Sequence, residues 1–302
     1  MPASLVTRSY RPERPVDLRL TLGSLWRGRR DPTMTVEPGG IWRATRTPDG
    51  PGVQHLIQTR THIEMRSWGP GATWLADQLP SLIGMNDDDS DFDPTGLLGT
   101  LRQRVRGLRI PRTDAVWEAL VPAIIEQKVT GIEARESFSY LHHTLSELAP
   151  SPPEGPRLLL PLDPKVIAGT PAHAFMRCNI ERKRADTIRR CAFYARRIEE
   201  TIDMSIHDAR RRLGALPGVG EWTIAEVGIR ALGDADAVSV GDYHLKNWVS
   251  WNLAGRPRGS DNEMLELLEP YRPHRGRTVL LVQHGGSAPP KYGARMTIQQ
   301  RW

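Results

Sequence analysis

The chain has 302 residues, a net charge of +6 and a pI near 9.6, enough length for about two domains and a sizeable core. Two cysteines, Cys178 and Cys191, are too few for a disulfide scaffold or for a four-cysteine zinc or iron–sulfur site. No apolar run approaches the roughly 18 residues of a membrane span. The basic balance, mostly arginine, suits a polyanion, and a membrane surface would fit it equally well. With no secretory signal and unpaired thiols, the expected compartment is the cytoplasm.

Residues 1–15 are polar and rich in proline and arginine, and are expected to be loosely held. Val16, Leu18, Leu20 and Leu22 alternate with polar residues, which predicts a half-buried strand. Further strands are expected near 34–36, 41–45, 53–59 and 63–68, with turns at Gly39-Gly40 and Pro48-Asp49-Gly50. A helix over 73–83 closes a small α/β unit with an antiparallel sheet. The run Asn86-Asp87-Asp88-Asp89-Ser90-Asp91 reads as a solvated linker, lacking the glycine and glutamate of a calcium loop. Residues 1–90 and 91–302 are thus the expected domains.

From residue 94 the pattern is helical. Leu97, Leu98, Leu101 and Val105 recur at helical spacing, and Thr113 or Asp114 can cap a helix whose apolar face is Trp117, Leu120, Val121 and Ile124. Pro122 inside it should kink it or cost a hydrogen bond. A helix over 132–148 carries His142-His143, a pair expected in solvent, since adjacent helical positions do not share a face. After a Pro-rich loop at 150–164, a long helix over 182–202 places Ile188, Cys191, Ala195 and Ile198 on one stripe. Arginines cover its other faces, Arg184 and Arg190 among them. Helices follow at 205–213, 221–232, 242–253, 262–268 and 277–283, with a tail from Gly285. No repeat is evident.

The stretch 216–246 organises the rest. Leu216-Pro217-Gly218-Val219-Gly220 is a tight turn between two helices, in which Pro217 pre-sets one torsion and the glycines permit positive φ and close backbone approach. The helix opening at Glu221 aims unpaired N–H groups out of the turn, a site for phosphate that reads no base sequence. Asp242 follows 22 residues after Gly220, at a helix start.

This helix-hairpin-helix with its spaced aspartate resembles the helix-hairpin-helix DNA glycosylase superfamily, and over about 15–285 it is similar to the bacterial 3-methyladenine DNA glycosylase II proteins. The resemblance implies an α+β chain, mostly α: a small N-terminal antiparallel α/β domain, then an all-helical glycosylase body. It implies a monofunctional hydrolase that removes alkylated purines from double-stranded DNA in base excision repair, acting as a monomer. Asp242 matches the catalytic aspartate, Tyr243 and Lys246 match the residues after it, Trp222 a tryptophan of the second hairpin helix, and Gln127 a DNA-facing glutamine. DNA contacts are expected from Gln127, Lys128, Leu216, Gly218, Val219, Gly220, Thr223 and Lys246. The base pocket is expected from Trp222, Tyr243, Glu226 and Gln283. Relatives with lyase activity carry a lysine where this chain has Trp222, so no Schiff base is expected. No cofactor is required and no iron–sulfur cluster fits; carbonyls of Gly214, Leu216 and Val219 are the expected place for a Na⁺ or K⁺ ion.

The chain departs from that family at three positions. Lys128 stands where an apolar wedge is usual, and Glu226 and Gln283 replace two rings, which leaves open another damaged base as substrate. A further alternative is a non-catalytic binder of DNA structure, with Asp242 serving as a helix cap.

Overall fold

A computed structural model describes residues 5–290. Five antiparallel strands form one sheet in the order β1-β5-β4-β3-β2. They are β1 (Leu5–Tyr10), β2 (Met34–Glu37), β3 (Gly40–Thr47), β4 (Gly50–Gln58) and β5 (Ile63–Trp68). β3 and β4 meet in a two-residue hairpin with Thr47 opposite Gly50, and Gly50 takes φ +120°, a torsion costly for any side chain. Helix α2 (Ala72–Leu82) covers one face. Its Leu75, Leu79 and Leu82 pack on Ile41, Leu56, Ile63 and Met65. The other face meets Leu158 and Leu160 of the Pro-rich loop, against Trp42, Val53 and Trp68. Each such side chain, fully buried, contributes on the order of 1.5–3 kcal/mol.

Three expectations for this region are corrected. Residues 16–22 hold a short helix, α1 (Leu18–Leu22), because the Asp17 carboxylate accepts from the N–H groups of Arg19 and Leu20 and caps it. Leu18 and Leu22, four apart, are buried either way, so alternation alone could not separate helix from strand. The first residues are not loosely held throughout: β1 pairs with β5 along its length, Leu5 opposite Trp68. Residues 1–4 lie outside the described residues.

The acidic run is the third. Asp87 is buried and takes a bidentate pair from Arg277, at 2.8 and 2.5 Å. Asp89 faces Arg14, Arg102 and Arg109 at 2.7–2.9 Å, and Asp91 meets His274 at 2.7 Å. Asp87 and Asp89 thus form an ionic clasp between the sheet unit and the helices, since their carboxylates find guanidinium partners from other parts of the chain.

The helical body runs through α3 (Gly96–Arg104), α4 (Val116–Ile125), α5 (Gly131–Leu145), α6 (Pro164–Gly169), α7 (Ala172–Arg177), α8 (Arg182–Phe193), α9 (Ala195–Glu199), α10 (Ile206–Gly214), α11 (Glu221–Val227), α12 (Leu245–Ala254), α13 (Asp261–Leu268) and α14 (Arg275–Gly285). The protein is therefore α+β and mostly α. The expected helix over 182–202 breaks at Tyr194, yet its stripe of Ile188, Cys191, Ala195 and Ile198 is buried. Arg184, expected on a solvated face, is buried instead and donates to the Ile125 carbonyl. His142 is also buried, its Nδ1 against the Phe138 carbonyl, and burial pushes its pKa down to about 4. Only His143 is in solvent. The tail expected from Gly285 falls partly at 291–302, outside the described residues. No helix is long and apolar enough to cross a membrane among the described residues.

Candidate active site

α10 and α11 form the hairpin. Ser205 caps α10 by accepting from the Asp208 N–H. The turn closes through Leu216 N–H to the Leu213 carbonyl at 3.1 Å and Val219 N–H to the Leu216 carbonyl at 2.9 Å. Gly218 has φ +94°, and a Cβ there would strike the Thr187 side chain. Gly220 differs from expectation: its backbone is extended, at φ −96° and ψ −179°, and nothing stands within 4 Å of a Cβ built on it. Only Gly218 needs the left-handed region. Gly220 precedes α11 without a side-chain cap, so the first N–H groups of α11 face outward at a bare turn.

Two side chains outside the hairpin hold it through three hydrogen bonds. Gln127 Nε2 donates to the Gly218 carbonyl at 3.0 Å and to the Thr223 hydroxyl at 2.9 Å. Arg190 Nη1 donates to the Pro217 carbonyl at 2.8 Å. Thr223 is buried, so its hydroxyl orients Gln127 instead of lying on the outer surface as expected. Leu216 and Val219 pack their side chains into the core, leaving their backbones at the turn. Lys128 is exposed in the α4–α5 connection, at φ +55°, directly after Gln127. The Leu216 carbonyl already accepts from Val219 N–H, while its second lone pair and the carbonyls of Gly214 and Val219 have the oxygen chemistry that a monovalent cation takes.

α11 widens at Gly228–Leu232 into a π turn, a distortion frequent at functional sites. At its end the carbonyls of Arg230 and Ala231, without helical partners in the last turn, accept from Thr113 and Asp114 N–H at 3.1 Å. Asp234, just after, pairs with Arg210 at 2.6 Å. The chain then turns through 239–244 into α12.

Asp242 sits in that turn, part-buried. Its Oδ1 accepts from the N–H groups of His244 and Leu245, each at 2.8 Å. Its Oδ2 faces the Trp222 indole Nε1 at 3.4 Å. One oxygen is thus fixed by the helix start and the other is presented beside an aromatic ring of the hairpin. Lys246 is paired with Asp261 at 3.2 Å, and Asp261 also accepts from Gly241 N–H at 3.1 Å.

Tyr243 and Gln283 do not join Asp242 and Trp222. Tyr243 is 69% exposed and stands edge-on to His244. Gln283 is exposed on α14, whose Leu281 and Val282 face the core instead. Glu226, one turn beyond Trp222, is neither in open solvent nor free. It binds Arg230 Nη1 at 2.6 Å and the Ser239 hydroxyl. Burial pushes its pKa up, but Arg230, the Ser239 hydroxyl and Arg27 together outweigh burial and leave it below the usual carboxylate range. Arg27 in turn pairs with Glu126 at 3.0 Å. Arg27, Glu126, Arg230 and Ser239 were missed from sequence. Only the Glu226–Arg230 spacing of four, with its i,i+4 pairing, was there to find.

The same fold recurs in solved DNA glycosylase structures. A 3-methyladenine DNA glycosylase from Archaeoglobus fulgidus superposes with a TM-score of 0.78 at 18% identity, covering 91% of this chain and 96% of that one. An 8-oxoguanine glycosylase/lyase from Clostridium acetobutylicum gives 0.73 at 12% identity, covering 94% and 98%. The 3-methyladenine DNA glycosylase Mag1 of Schizosaccharomyces pombe, solved with abasic DNA, gives 0.51 at 17% identity, covering 63% of this chain and 91% of that one. No family model and no curated protein matches the chain. The fold is that of the helix-hairpin-helix DNA glycosylases.

Proposed function

We propose that the chain is a DNA glycosylase that hydrolyses the N-glycosidic bond of alkylated purines in double-stranded DNA, without lyase activity. The observation that carries this reading is Asp242, oriented by two backbone N–H groups at the start of α12 and facing Trp222 of the hairpin. Breaking the glycosidic bond builds positive charge on the sugar, and one fixed carboxylate can stabilise that charge and orient the attacking water. A cationic alkylated base leaves well without a separate acid, which inverting glycosidases otherwise need. The base must first leave the stack. The bare start of α11 would hold phosphate through backbone N–H groups, and Gln127, bonded to the Gly218 carbonyl, is followed directly in sequence by the exposed Lys128. That two of the solved relatives are 3-methyladenine glycosylases supports the alkylated-purine assignment.

A second reading, a glycosylase for another damaged base, draws on Glu226 and Gln283. Two rings are absent, and the Glu226 charge is neutralised by Arg230, so a cationic purine would gain less aromatic and anionic attraction here, from Trp222 and Asp242. One assay separates the readings: release of free base from methylated, deaminated and oxidised duplexes. Preferential release from methylated DNA supports the first, and release of a neutral lesion alone supports the second. Abasic DNA should remain uncut and untrapped by borohydride. Trapping would overturn the lyase-free assignment, with Lys128 the amine to test. The reading also places the protein with the nucleoid when on DNA and has it act as a monomer. A Na⁺ or K⁺ ion at Gly214, Leu216 and Val219 would steady the turn; affinity for DNA compared in potassium, sodium and tetramethylammonium salts at one ionic strength tests it.

A further inference from the structure

The turn that carries Asp242 is held from two sides. Gly241, at φ +87°, donates its N–H to Asp261 at 3.1 Å. On the other side the Ser239 hydroxyl donates to Glu226, and the Ser239 carbonyl accepts from Asp242 N–H at 3.2 Å. Ser239 therefore links the hairpin helix directly to the backbone of Asp242. Glu226 cannot swing away, because Arg230 Nη1 binds both its carboxylate and its own carbonyl. Arg230 is itself anchored, its Nε donating to the Ser24 carbonyl at 3.0 Å in the N-terminal unit. A buried ion pair is weak evidence for stability, since desolvation offsets much of its attraction. Its geometric fixity is a better account of this one.

We propose that Glu226 is a positioning residue: through the Ser239 hydroxyl it fixes the turn bearing Asp242, and so governs the rate of base excision and not the affinity for DNA. The proposal rests on the glycosylase reading for its rate, but the tether is a property of the folded chain alone. Glu226 lies one turn beyond Trp222 on α11, and its carboxylate faces the turn that bears Asp242. Misplacement of a reacting group by about an ångström costs on the order of a hundredfold in rate, so loosening a single anchor should cost about tenfold.

Removing Glu226 would strand Arg230 in the interior, so Ser239 is the residue to vary. Ser239→Ala deletes one hydroxyl and leaves the ion pair intact, and Ser239→Thr restores the hydroxyl. Two measurements on the full chain decide the matter: amide exchange of the 240–245 backbone, and single-turnover excision with the equilibrium affinity for the same duplex. Ser239→Ala should exchange about fivefold faster or more across 240–245, with the 216–224 hairpin unchanged. It should excise about tenfold more slowly at an affinity within about twofold, and Ser239→Thr should recover both. Unchanged exchange overturns the tether. Faster exchange with an unchanged excision rate overturns the positioning role, and so does a loss confined to affinity. A wild-type chain that releases no base from any lesion sinks the glycosylase reading, while the exchange comparison still decides the tether.

Discussion

Gln127 holds the hairpin turn from outside it: its Nε2 reaches the Gly218 carbonyl at 3.0 Å and the Thr223 hydroxyl at 2.9 Å. The contact spans 91 residues of chain and joins the end of α4 to the backbone that would grip phosphate. Each bond contributes about 1 kcal/mol net. Gln127→Ala should thus weaken binding to a duplex with an abasic-site analogue by about five- to thirtyfold. An affinity equal to wild type would show that the turn keeps its shape without Gln127.

Asp242→Asn should lower single-turnover excision by about a hundredfold or more, as loss of one electrostatic stabiliser at a developing charge does. Affinity should stay within a few-fold, because the amide oxygen can still accept from His244 and Leu245 N–H. Wild-type turnover in this variant would reduce Asp242 to a helix cap and favour the non-catalytic DNA binder.

The two hairpin glycines should part company. Gly218→Ala must place a Cβ at φ +94° against Thr187, so the melting temperature should fall by several degrees, from a penalty of about 1 kcal/mol for the torsion plus the clash. Gly220→Ala meets nothing within 4 Å and should melt as wild type. If phosphate approaches that backbone closely, Gly220→Ala should still bind all DNA sequences more weakly. Affinity equal to wild type in a folded Gly220→Ala protein would remove the close approach at Gly220.

Much of this was legible in sequence because it is local. The Gly218 turn, the Asp242 helix start and the stripe of Ile188, Cys191, Ala195 and Ile198 each follow from a few neighbouring residues. What was hidden depends on partners far along the chain. Nothing near Asp87 indicates that Arg277 will bury it, and nothing near Glu226 points to Ser239. Thr223 reads as a DNA contact until α4 brings Gln127 over it. Leu18 and Leu22 fit a strand as well as a helix, and the Asp17 cap decides between them.

Glu199 should give stability a measurable pH slope. Its carboxylate is buried and accepts from Val116 and Trp117 N–H at 2.9 and 2.7 Å. Burial, opposed by those two bonds and reinforced by Glu118 and Asp114, pushes its pKa up to about 7. The folded chain then holds a proton that the unfolded chain releases near pH 4.5. The contribution is complete below about pH 4.5 and is lost as pH rises to about 7, roughly 3 kcal/mol in all. His142, lowered to about 4 by burial, acts oppositely below its ordinary value near 6.5, so the comparison must be between wild type and Glu199→Gln, which share it. Unfolding free energies at intervals from pH 4.5 to 7.5 should fall more steeply with rising pH in wild type. Parallel curves would show that Glu199 titrates normally in the fold.

The clasp at Asp87 makes the last test. Asp87 and Arg277 are both nearly inaccessible, their side chains 3% and 7% exposed, and Ile110 N–H also donates to Asp87 at 3.2 Å. Asp87→Asn keeps the shape but leaves the Arg277 charge without its counter-ion in the interior. Breaking a buried pair in this way costs about 3–5 kcal/mol, which corresponds to about a 10 °C fall in melting temperature for a chain of this size. Exposed pairs such as Arg30–Glu136, with side chains 78% and 53% accessible, should contribute within about 1 kcal/mol. Salt separates the two, since buried charges are screened far less than exposed ones. The Asp87→Asn deficit should therefore persist at about 1 M salt. A deficit that vanishes there would mean that water and ions reach the Asp87–Arg277 pair and that it does not act as a buried clasp.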